Sequence, residues 1–165
     1  MRRFLTSFVI AGLMTGQVHA ADCLRPTDHV ALDVVALKTQ LMVTALTCQA
    51  DERYNAFVRK YQSDLQRENK TMDTYFMRSF GRSGAKHRDD YVTNLANSQS
   101  QIGIKQGSYF CQDNITTFDE VMALRSNAEL TAYAAGRAGP QPISTTSCGS
   151  TPERPAARTP ARRRS

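Results

Sequence analysis

Between Pro26 and Gly81 the chain contains neither glycine nor proline, an absence that is unusual outside helical proteins. Tryptophan is missing altogether and aromatic residues amount to only 8%. There is no G-x-S-x-G, no Walker-type glycine loop and no G-x-G-x-x-G, so none of the common nucleophile or nucleotide signatures is present. The four cysteines are spaced by 25, 63 and 37 residues. That leaves no Cys-x-x-Cys for thiol exchange and no clustered thiolates for zinc. Of the three histidines, His19, His29 and His87, no two stand at a metal-ligand spacing. Beyond the first twenty residues, no segment reads as apolar for long enough to cross a bilayer.

The 165 residues suffice for one domain with an ordinary core. A formal charge of +6 invites a nucleic-acid or membrane-surface reading, but the charge is concentrated at the ends. Residues 1–20 carry +2 and residues 137–165 carry +5, while residues 21–136 hold 13 basic against 14 acidic side chains. The central region is therefore close to neutral.

Met1-Arg2-Arg3 followed by the apolar stretch Phe4–Met14 reads as the start of a signal peptide. Val18-His19-Ala20 places small or modest residues where a signal peptidase needs them, so cleavage is expected after Ala20. Arg2-Arg3-Phe4-Leu5 lacks the spacer residue of a twin-arginine signal, which favours general secretion. Asp22 before Cys23 argues against lipidation there. An even number of cysteines in an exported protein points to disulfides. Cys23, Cys48, Cys111 and Cys148 allow three pairings, and the sequence alone does not choose among them. Cys48 with Cys111 is preferred because both fall inside the predicted helical core, and Cys23 with Cys148 would then tie the flanks. Closing the 48–111 loop is worth roughly 3–5 kcal/mol in the chain-entropy model.

Apolar positions Val30, Val34, Leu37, Leu41, Ala45 and Cys48 step by three or four, and Leu32, Val35, Met42, Val43 and Leu46 lie round the other side. A helix apolar on both sides should be central. Thr27 or Asp28 is placed to cap its start. A second stripe, Tyr54, Phe57, Val58, Tyr61, Leu65, Met72, Tyr75 and Phe76, is rotated by roughly 130° from the first. The break at residues 49–53 implies a short connection with Asp51 as N-cap, or else one long bent helix. Gly81-Arg82-Ser83-Gly84 then makes a turn. A third helix over about 86–101 buries Tyr91, Val92, Leu95, Ser98 and Ile102, with Asp89 and Asp90 in its first turn and Gly103 and Gly107 closing it. The last helical region runs from Phe118 to Ala135, continuous or broken near Ser126. Thr117–Glu120 and Ser126–Glu129 both fit a capping box. Five of the six prolines follow Gly136, and this tail is expected to be disordered apart from Cys148.

Gln40–Cys48, Tyr54–Val58, Tyr91–Asn97 and Phe110-Cys111 resemble a family of small exported alphaproteobacterial proteins of unknown function. The resemblance covers about residues 37–112. It implies a periplasmic α-helical module in which Cys48 and Cys111 are paired, and it implies no activity. Cys23, Cys148 and the arginine tail lie outside it.

The residues that carry chemistry are few. His87-Arg88-Asp89-Asp90 is the most polar cluster, and a solvated helix start explains it as well as an acid–base role does. The aromatic stripe Tyr54, Phe57, Tyr61, Tyr75 and Phe76 reads as a core face rather than a ligand floor. Asn94, Asn97, Ser98 and Gln101 form a polar helical strip, read as a seam between helices. In the tail, Arg154, Arg158, Arg162, Arg163 and Arg164 are candidates for an anionic surface, each contact worth about 1 kcal/mol at close range. Nucleic acid is disfavoured, since export removes that partner and no stacking aromatics accompany the arginines.

The reading is an all-α protein: a small bundle of about four helices, disulfide-stapled, with a disordered basic C-terminal tail. Residues 1–20 are the signal peptide, 21–136 the helical domain and 137–165 the tail. A non-enzymatic periplasmic module for binding or envelope support is expected, partnered by an envelope protein or an anionic envelope surface and needing no cofactor. The alternatives are an enzyme or thiol-reactive protein whose site forms only in three dimensions, and an envelope-surface binder acting through the tail.

Overall fold

Residues Pro26–Cys48 form the first helix, α1, and the rest of the protein is arranged around it. The computed structural model describes residues 23–137, 139, 141–143 and 148. The expected leader and all five tail arginines lie outside these residues. Six further helices follow: α2 (Asp51–Lys60), α3 (Gln62–Phe80), α4 (Gly84–Gln106), α5 (Tyr109–Asn114), α6 (Thr116–Ala123) and α7 (Asn127–Arg137). A 3₁₀ turn, Gly81–Ser83, joins α3 to α4. No strand occurs among the described residues, and the fold is all-α.

The two apolar sides of α1 serve two separate cores. Val34, Leu37, Leu41 and Ala45 pack with Phe57 and Tyr61, Leu65 of α3, Phe118 and Val121 of α6, and Leu130 and Ala134 of α7. Leu32, Val35 and Ala36 pack instead with Leu24, with Met72, Tyr75 and Phe76 of α3, and with Tyr91 and Leu95 of α4. Each large side chain so buried contributes about 1.5–3 kcal/mol. Leu46 departs from its expected side and stands 68% exposed. By length and composition α1 could cross a membrane, with a mean hydropathy of 1.5 over its most apolar window, contrary to the sequence expectation for this part of the chain. Its place between two cores accounts for that apolarity, since 61% of the window is buried inside the fold.

Local geometry corrects several expected caps. Asp28 does sit at the start of α1, where its carboxylate accepts the Arg25 N–H at 2.9 Å, with Arg25 rather than Thr27 or Asp28 in the cap position. The helix ends at Gln49 in the left-handed region (φ 55°), and a short connection through Ala50 leads to α2. Ala50 takes the cap position, so Asp51 lies within the first turn of α2. The second predicted helix is interrupted at Tyr61. There the phenol turns inward and donates to the Val121 and Leu124 carbonyls at 2.8 and 3.1 Å. Lys60 Nζ joins it on Met122 O and Leu124 O at 2.6 and 2.7 Å, so two side chains close the end of α6.

Helix α4 begins earlier than the charge pattern implied, at Gly84, which carries Asp89 and Asp90 past its first turn. Gly103 stays inside α4, and Gly107 (φ 57°) ends it. Gly84 is required by close approach: a Cβ there would lie 2.7 Å from the Phe76 carbonyl oxygen. The last helical region is broken at 124–126 and preceded by α5. Thr117 is no cap. It is buried within α6, where its hydroxyl accepts from Arg137 Nη1 at 3.1 Å. Ser126 caps α7 by accepting the Glu129 N–H at 3.2 Å, but the Glu129 carboxylate accepts from Arg125 N–H, one residue before the cap.

Cys48 is bridged to Cys111 and Cys23 to Cys148, leaving no free cysteine. The fold also runs past Gly136, where the tail was expected to begin. Arg137 closes α7 with its guanidinium on Thr117 and Glu120. Ile143 packs on the second core, and Cys148 N–H donates to Leu24 O at 2.9 Å.

Candidate functional site

His29 and Asp33 stand one turn apart on α1, on the side that faces the segment following α7. The Asp33 carboxylate accepts from Gln141 Nε2 at 3.3 Å, and the Tyr91 hydroxyl of α4 donates to Gln141 Oε1 at 2.6 Å. One carboxamide thus fills the space between an acceptor on α1 and a donor on α4. Burial pushes the Asp33 carboxyl up from its ordinary value, opposed by the nearby His29 charge and by the Gln141 hydrogen bond. Burial also raises the Tyr91 phenol well above its usual range, and the neighbouring Asp33 and Tyr75 add to the effect. Tyr91 is only 2% exposed and stays a neutral donor. Chemically the trio holds α1, α4 and the C-terminal run together, and none of its groups is an activated nucleophile.

A second polar junction lies at the start of α1. Asp28, 3% exposed, pairs with Arg78 Nη2 at 2.6 Å, and the same guanidinium lies 5.6 Å from the centroid of the Tyr75 ring. Beside it, Pro26, Thr27 and Val30 of α1 and Arg67, Glu68 and Thr71 of α3 border an open groove of about 340 Å³. Glu68 is buried at its floor and paired to Arg67 at 3.1 Å. On the α3–α4 side, Arg88 is held between Asp73 at 3.2 Å and Asp89 at 2.8 Å.

The sequence candidates are dispersed. His87 is exposed and stacks on Phe80 with ring centroids 4.0 Å apart. Asp90 is paired to Lys86 at 2.6 Å, so the His87–Asp90 cluster is a run of surface ion pairs. The aromatic stripe is core, with Phe57, Tyr61, Tyr75 and Phe76 all buried and Tyr54 partly so. The polar strip is no interhelical seam: Asn94, Asn97 and Gln101 face solvent, and only Ser98 is partly covered. Among the described residues no group of three or more His, Cys, Asp or Glu side chains is placed to hold a metal. Asp33 and Gln141 were not singled out in the sequence. The one available signal for Asp33 was a carboxylate four residues from His29 inside a strongly apolar helix; Gln141 had none, lying in a proline-rich run.

Large apolar side chains also reach solvent. Leu46, Ile104 and Tyr109 are 68%, 71% and 67% exposed, and Met77 of α3 and Met122 of α6 are 51% and 37% exposed. Leu46 and Tyr109 each lie two residues before a cysteine of the Cys48–Cys111 bridge, and Ile104 adjoins Gly103, where an added Cβ would lie 3.5 Å from the Phe110 ring. All three therefore belong to the end of the fold where α1 and α4 finish and α5 begins.

The fold and its junctions define a doubly bridged, all-α helical module. No family model matches the chain, and neither curated proteins nor solved structures give a significant match.

Proposed function

We propose that this chain is a non-enzymatic helical module of the periplasm, exported by a leader cleaved after Ala20, that works by binding an envelope partner. The observation that carries the reading is the exposure of Leu46, Ile104 and Tyr109 around the Cys48–Cys111 end, while the buried charges Asp28 and Glu68 are committed to ion pairs between or along helices. Exposed apolar groups gathered at one end of a fold suit association. The two disulfides support an oxidising, exported location. The likeness of Gln40–Cys48 and Tyr91–Asn97 to small exported alphaproteobacterial proteins points the same way.

Two measurements test it. The intact mass of protein from the periplasmic fraction should begin at Ala21 and gain four alkyl groups only after reduction; a mass retaining residues 1–20 would remove the export reading. A photoreactive residue placed at Leu46 or Tyr109 should give adducts of discrete mass in the cell, whereas one at exposed Gln66 should not. Equal yields from all three positions would remove the binding end.

A further inference from the structure

We propose that the groove between the start of α1 and the middle of α3 binds a free aliphatic amino acid, with its ammonium group on Glu68 and its carboxylate on Arg67. The site is built from side chains that the envelope-binding reading does not use, and it stands or falls independently of that reading.

A charge taken out of water needs partners for its lone pairs. Asp28, the other buried carboxylate among the described residues, pairs across helices with Arg78 and accepts the Arg25 N–H. Glu68 differs. It is only 6% exposed, yet its donor is Arg67, its neighbour on the same helix, whose Nε reaches Oε1 at 3.1 Å. That pair ties α3 to no other element, so joining helices does not explain burying a carboxylate there. Among the described residues nothing donates to Glu68 Oε2, and the one sealed side-chain atom without a partner is Asn127 Oδ1. Oε2 is therefore open, and the opening is the groove that Glu68 lines. The half-exposed guanidinium is part-used in the same way. Its Nη2 donates to Asp64 at 2.9 Å and its Nε to Glu68, while Nη1 has no acceptor among the described residues.

One open carboxylate oxygen and one open guanidinium nitrogen thus belong to a single groove, on two side chains already joined by a 3.1 Å bond. A simple cation there would meet Arg67, and a simple anion would meet Glu68. A molecule carrying both signs a bond or two apart satisfies both groups, and a free amino acid has its ammonium and carboxylate on one carbon. A longer peptide carries them at opposite ends. Thr27 borders the same groove in the first turn of α1, where the backbone N–H groups and the helix dipole favour a carboxylate. The Thr71 hydroxyl is already spent on the Arg67 carbonyl at 3.1 Å, which leaves its methyl with Pro26 and Val30 as the apolar wall. That wall selects an aliphatic side chain. The volume of about 340 Å³ lies at the small end of the ~300–1,000 Å³ typical of ligand sites, which suits one amino acid.

The test is titration of the oxidised, nitrogen-15-labelled full chain with L-leucine, followed by amide chemical shifts. Saturable shifts centred on residues 26–30 and 67–71 should give a Kd below about 1 mM. N-acetyl-L-leucine lacks the ammonium charge and L-leucinamide lacks the carboxylate, and each should bind at least about tenfold more weakly. Glu68→Gln and Arg67→Gln should each weaken leucine binding at least about tenfold while the helical circular dichroism is kept. Arg88→Gln, which opens the ion pairs with Asp73 and Asp89 instead, should leave it unchanged. If Glu68→Gln fails to fold, Arg67→Gln decides alone, since its side chain is half exposed. No saturation by about 10 mM leucine, shifts centred elsewhere, a blocked analogue that binds as well as leucine, or undiminished binding by Arg67→Gln would each overturn the proposal.

Discussion

Replacing Tyr91 with phenylalanine removes one oxygen and leaves a ring that packs against Phe76, centroids 5.5 Å apart. Near pH 7.5 the loss is the hydroxyl's 2.6 Å bond to Gln141, worth about 0.5–1.5 kcal/mol net, together with a long 3.5 Å contact to the Leu32 carbonyl that adds little. Gln141 is only partly buried, so its carbonyl can turn to water, and the lower half of that range applies. Alkaline pH reverses the sign. Burial, helped by Asp33 and Tyr75, holds the Tyr91 proton well above the usual phenol value, whereas an unfolded chain releases it near 10. The folded state binds the proton more tightly, so this contribution is complete below about pH 10 and drains away as pH rises beyond it. Near pH 11 the unfolded state gains about 1.4 kcal/mol from ionising this one group. Phenylalanine has no proton to lose. Tyr54 and Tyr133, also raised, are present in both proteins and cancel. The Tyr91→Phe variant should therefore be less stable than the parent near pH 7.5 and as stable or slightly more so near pH 11. Urea unfolding of both oxidised proteins, followed by far-ultraviolet circular dichroism, measures the gap. A gap of the same size and sign at both pH values would refute the burial argument.

Two of the helical glycines, Gly84 and Gly136, should respond oppositely to alanine. At Gly84 the new Cβ meets backbone atoms of Phe76 and Met77 at 2.7–2.9 Å and should cost about 1–3 kcal/mol, while Gly136 has nothing within 4 Å and should gain about 0.5–1 kcal/mol. Thermal midpoints moving in the same direction would contradict this. Replacing Cys48 and Cys111 together with serine opens a loop with a sequence separation of 63 and should cost about 4 kcal/mol in urea unfolding. A loss under about 1 kcal/mol would mean that the unfolded chain is not constrained by the bridge. Tyr61→Phe leaves the buried Val121 carbonyl without its hydroxyl donor and should cost about 1–2 kcal/mol. Arg53→Ala, breaking a 3.1 Å pair with Asp119 whose side chains are 47% and 72% exposed, should stay within about 0.5 kcal/mol. Equal effects from these two would count against ranking contacts by burial.

What the sequence made legible were features set within one helix. The two apolar sets on α1 revealed a helix needing neighbours on both sides, and two cores meet it there. The turn at Gly81–Gly84 and the stop at Gly107 were readable because glycine marks them locally. The break at Tyr61 was not, since no glycine or proline marks it and its hydroxyl finds its partners on α6, sixty residues on. Thr117 shows the same failure: its spacing to Glu120 matches a cap, but Arg137 from α7 claims both side chains. Asn94 and Asn97 erred the other way, because helical spacing places residues on a common face without saying whether another helix covers it. The C-terminal run shows the limit most clearly. Proline-rich composition says that a segment cannot bury enough surface on its own to offset its ordering entropy. It does not say which few residues just past α7 touch the rest of the fold: Gln141 bonds Tyr91 and Asp33, and Ile143 packs on the second core, neither of them marked by a local pattern.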